Sequence, residues 1–178
     1  MSRLKLCSYL AALLSSLVLY VADPSLPLSI TDPEQAQIER VTTIYEKIAP
    51  FTMESFPTLV YQKSEVMNAW FSGEKITITS AIAEKLNDDE LAFVIAHELS
   101  HFALGHLRDE VEGQEEAIIS KEAHADELAV YYTLRAGYDV CKAKGTFEKF
   151  RELYGESLLN DHPSNALRLY MIDLPMCH

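Results

Sequence analysis

Between Asn87 and Gly105 the chain sets two histidines and a glutamate inside a segment that belongs in a hydrophobic core. Asn87 is a good helix N-cap, and Glu90 three residues on completes a capping box. Val94, Ile95 and Phe102 assign the helix to the interior, and Gly105 supplies its stop. His97-Glu98-Leu99-Ser100-His101 lies in the middle of it. Positions four apart return to one helical face. Both imidazoles can therefore reach a single ion, with Glu98 beside them to hold a water. Buried histidines need partners, and a metal is one. The plainer alternative is a structural helix that happens to contain two histidines.

A catalytic zinc takes three protein ligands and leaves a fourth position for water. The trailing Gly105-His106 does not complete an HExxHxxGxxH pattern, because Leu104 and Leu107 fill the decisive places. On a continuing helix His106 would point about 180° away from His97, and it reads as structural. Glu122, in Glu122-Ala123-His124-Ala125-Asp126, is the better third ligand. Asp126 shares its helical face and is placed to orient a ligand imidazole. His124 lies about 200° round the helix from Glu122, off that face. A solvated face is the ordinary reading of helical charges. Here Ala123, Ala125, Leu128, Ala129 and Val130 make the neighbourhood apolar instead.

The elements around these two helices predict an α+β fold, mostly helical, with one small sheet beside the HExxH helix. Thr31 or Asp32 caps a first helix with Pro33 in its first turn, and Ile38, Val41, Tyr45 and Ile48 share one face before Pro50 ends it. Leu59-Val60-Tyr61, Ala69-Trp70-Phe71 and the alternating Ile76-Thr77-Ile78-Thr79 read as strands, with a turn near Gly73. Ser80 starts a short helix through Leu86. Further helices run from about Glu115 to Gly137 and from Val140 to Tyr154, and His162-Pro163 opens a last one with Leu167, Tyr170 and Met171.

The chain's beginning is of another kind. Arg3 and Lys5 precede an uncharged run from Leu6 to Ala22, the layout of a secretory signal or an uncleaved membrane anchor. Either one exports the rest of the chain, because positive flanks stay on the cytoplasmic side. Residues 1–22 are read as that segment, 23–31 as a Pro-containing linker, and 32–178 as the functional domain. In an oxidising compartment Cys141 and Cys177 can pair, although two unrelated buried thiols are an equal alternative. The formal charge of -12 and the lack of a basic stripe exclude nucleic acid as a partner.

Four segments in order, across about Asn68 to Ile172, resemble the gluzincin zinc peptidases that include HtpX, BepA and the CAAX prenyl proteases. Asn68-Ala69-Trp70 resembles the family's edge strand. Asp89-Glu90-Leu91 through His106 resembles its active-site helix. Glu122 to Asp126, with Ala129 and Ala136-Gly137-Tyr138-Asp139, resembles its third-ligand helix. His162-Pro163 with Arg168 resembles its HPxxxxR element. His124 departs from the pattern, which often has Glu there, but off the metal face.

The resemblance implies one zinc ion per chain, held by His97, His101 and Glu122, with Asp126 behind them and Glu98 as the base. It makes His162 and Arg168 candidates for stabilising the oxyanion. His162 has two alternatives, a helix cap or an inhibitory ligand, and Arg168 has one, an ion pair with Asp126 or another acid. The implied activity is hydrolysis of internal bonds in unfolded or membrane-associated proteins of the cell envelope. The alternative is a zinc-binding holdase or assembly factor without turnover.

Overall fold

A computed structural model describes residues 32–52, 55–106 and 115–155, together with Arg168 and Cys177. The expected signal or anchor, the linker, and the last helix with His162 lie outside the described residues. Among those described, no helix is long and apolar enough to cross a membrane.

The first helix, α1, spans Pro33–Ile48. Asp32 caps it by accepting the Glu34 N–H at 3.0 Å. Its buried face carries Val41, Ile44, Tyr45 and Ile48. From its outer edge Arg40 donates to the carbonyls of Ala83 and Leu86 and pairs with Asp88, tying α1 to the approach of the HExxH helix.

The sheet has three strands: β1 (Thr58–Gln62), β2 (Ala69–Phe71) and β3 (Lys75–Thr79). β3 lies in the middle, parallel to β1 and antiparallel to β2, with Leu59 opposite Ile76 and Ala69 opposite Ile78. Gly73, at φ 92, makes the turn from β2 to β3. Thr79 then fastens the start of β2. Its hydroxyl donates to the Asn68 carbonyl at 2.9 Å and accepts the Asn68 N–H at 3.0 Å. The short helix α2 (Ser80–Lys85) leads into α3 (Asp88–Ala103).

The capping box opens α3 as the sequence predicts, with Asn87 accepting from Asp89 and Glu90 N–H while Glu90 accepts the Asn87 N–H. Every residue from Glu90 to Ser100 is buried. A helix covered on all sides must be enclosed by neighbours, and here these are α1, the sheet, α4 (Glu115–Arg135) and α5 (Ala143–Tyr154). Phe71 meets Phe102 edge-on, and Phe93 meets Phe147 likewise. The result is the α+β, mostly helical fold with one small sheet. Because α3 is enclosed, each of its polar groups must find a partner inside the protein.

A 3-10 turn at Val140–Lys142 precedes α5, and from it Cys141 forms a disulfide with Cys177. Of the two readings of these thiols, the structure shows the pair.

Candidate active site

One helical turn separates His97 from His101, so α3 presents both rings to one point. The two Nε2 atoms are 2.9 Å apart. From α4, Glu122 brings one carboxylate oxygen to 3.3 Å from the Nε2 of His97 and the other to 3.2 Å from that of His101. A tetrahedral zinc with ligand bonds of about 2.0–2.1 Å sets its donor atoms about 3.3 Å apart. The three donors thus stand at coordination spacing, and they are two imidazoles and a carboxylate, a set that suits zinc.

Behind the donors the carboxylate one turn along α4 has its own task. Asp126 Oδ1 lies 2.8 Å from His97 Nδ1. Arg168 grips the same carboxylate with two bonds, Nη2 to Oδ1 at 2.6 Å and Nε to Oδ2 at 2.9 Å. Its guanidinium also stacks over the Phe147 ring at 4.6 Å. An Nδ1–H directed at Asp126 leaves the Nε2 lone pair of His97 for a metal. Burial and Arg168 pull the His97 pKa down, but Asp126 and Glu122 outweigh them and push it up to about 9. Burial works against the Asp126 charge too, yet Arg168 and His97 hold its carboxyl well below the usual range.

Glu98, beside the donors, is buried and forms part of the wall of a cavity of about 50 Å³. Asn68 and Ala69 from the β2 edge, Val94, Phe147 and Arg168 contribute to the same wall.

One expectation changes. His106 does not point away from the site. The helix stops at Ala103, Gly105 takes φ 66, and the His106 N–H closes on the His101 carbonyl at 2.8 Å. The chain turns back, and His106 Nδ1 comes to 3.2 Å from His101 Nδ1. Burial first, then His101 and Lys121, lowers the His106 pKa to about 4. The signal for this is in the sequence, in a glycine stop succeeded at once by histidine. Arg168 forms the expected ion pair with Asp126 and also lines the cavity. His124 is exposed on α4, off the metal face as expected.

Fold and donors together define an α+β metal-binding domain of the HExxH kind. The family model described as Peptidase family M48 matches residues 33–120, and over that stretch the chain is similar to that family. A protein named Protease HtpX homolog from Helicobacter pylori strain Shi470 is 36% identical over 84 residues, covering 44% of this chain and 26% of that protein. Metalloprotease YcaL from Escherichia coli strain K12 is 27% identical over 147 residues, covering 61% of this chain and 58% of its own length. The chain thus spans from about a quarter to 58% of these relatives. The family match ends just short of Glu122, so the third donor rests on the geometry here.

Proposed function

We propose that this chain is a zinc-dependent endopeptidase that cleaves unfolded or membrane-associated proteins outside the cytoplasm. The observation that carries the reading is the meeting of His97, His101 and Glu122 at coordination spacing, with Glu98 on the adjoining cavity wall. Zinc bound there would supply Lewis acidity, making water acidic enough to lose a proton near neutral pH and polarising a peptide carbonyl. Glu98, on the cavity wall, would hold a proton on its carboxylate and return it to the leaving amine. Asp126, held by Arg168, keeps His97 in one tautomer and one orientation.

An extended substrate fits the edge of β2, where strand addition needs only main-chain bonds. The Ala69, Val94 and Phe147 wall then suits an apolar side chain next to the scissile bond. His162, shortly before Arg168 in sequence, and Arg168 itself, on the cavity wall, are the candidates to donate to the oxyanion. Support for an envelope location comes from the Cys141–Cys177 disulfide and from Arg3 and Lys5 ahead of their apolar run.

The test is degradation of an unfolded protein by wild type and by Glu98→Gln, with the zinc content of each. Wild type should degrade it, and Glu98→Gln should keep its zinc and lose at least about 10²-fold in rate, the scale of a general base. Stoichiometric zinc with no cleavage, and equal suppression of aggregation by both proteins, would establish the holdase instead.

A further inference from the structure

His101 needs a free lone pair on Nε2 to bind a metal, and neutral imidazole has one N–H to place. Its tautomer is therefore set by whatever faces Nδ1. Asp126 performs this for His97. Among the described residues, the group facing His101 Nδ1 at hydrogen-bond distance is the Nδ1 of His106.

We infer that His106 is a positioning residue for the metal site: its Nδ1 accepts the Nδ1–H of His101 and holds that ring with Nε2 toward the ion. The local backbone is arranged for this contact. Gly105 adopts φ 66, a region that L side chains rarely enter, although a Cβ there would meet nothing within 4 Å. The glycine is thus required by the turn rather than by space. That turn brings the His106 N–H onto the His101 carbonyl and the two rings to 5.3 Å between centroids. Both bonds join the same two residues, so the ring of His106 is held against the ring it serves. His106 is also half-buried, which shields the bond from competing water.

This assignment rests on the metallopeptidase reading, since it takes His101 as a ligand. The experiment measures zinc affinity by chelator competition in wild type, His106→Leu and His106→Asn. Melting of the three metal-free proteins and the visible spectra of their cobalt(II) forms accompany it. The Asn side-chain oxygen falls near the position of Nδ1 and can accept the same proton, whereas Leu fills space without accepting. His106→Leu should bind zinc about 10–100-fold more weakly and show an altered cobalt spectrum. His106→Asn should recover most of the affinity and the wild-type spectrum, and all three metal-free proteins should melt together. Equal affinity in wild type and the Leu variant would overturn the assignment. So would equal losses in the Leu and Asn variants, which would mark a packing role. A wild type that takes up no zinc would bring down the metallopeptidase reading and this inference together.

Discussion

The two histidines of one helix are held by opposite chemistries. At the inner end His97 is fully enclosed and leans on Asp126, which is clamped in turn by Arg168. At the outer end His101 is partly exposed and leans on a neutral ring delivered by a glycine turn. A charge can be buried only with its partner beside it, so the inner support is built of ions that also hold α3, α4 and Arg168 together. The outer support needs no charge, and among the described residues its bonds run to its own helix end. The inner end therefore couples metal binding to folding, and the outer end acts on metal binding alone.

Glu122 faces both rings, so its removal should erase the difference between the ends. Glu122→Ala should weaken zinc binding by more than about 100-fold, beyond what loss of a supporting partner costs. His124→Ala, on the exposed face, should leave affinity unchanged in the same chelator titration. A reversal of the two would move the third donor to His124.

Asp126→Ala breaks the comparison at the inner end. It leaves the Arg168 guanidinium buried without its carboxylate, at a cost of about 3–5 kcal/mol in denaturant unfolding of the metal-free protein. Zinc affinity should fall about 10–100-fold as well. A loss of affinity with no loss of stability would make the two ends alike.

The smallest effect expected is that of pH. In the metal-free protein His97 is raised from 6.5 to about 9: burial and Arg168 oppose the charge, and Asp126 and Glu122 prevail. Its contribution to stability is complete below the unfolded value and is lost as the pH rises through the folded one. The melting temperature with chelator present should fall between about pH 6.5 and 9, and Asp126→Asn should flatten that fall. A flat wild-type profile would show that the His97 cation does not stabilise the inner end.

Much of the fold and site is legible in the sequence because it is local. Asn87 and Glu90 cap α3 by bonds within one turn, and Glu122 and Asp126 share a face by periodicity alone. His106 is misplaced by the same periodicity, because a helical wheel does not hold past the end of the helix, where Gly105 reverses the chain. The strand order, with β3 between β1 and β2, pairs two strands, β1 and β3, that are not neighbours in sequence and has no signature in the strands themselves. The same is true of Gly145. A Cβ there would meet the Glu90 carboxylate at 2.3 Å, a contact between helices far apart in sequence.

The disulfide has a consequence for a chain exposed to proteolysis. Cys141 and Cys177 enclose Arg168 in a covalent ring that starts before α5 and closes near the C-terminus. A single cut anywhere inside that ring opens a loop without releasing a fragment. The piece bearing Arg168 stays attached, and its grip on Asp126 is renewed as an intramolecular event at high effective concentration. A nicked molecule under oxidising conditions should thus keep its site, and the same nick with a reductant added should lose it.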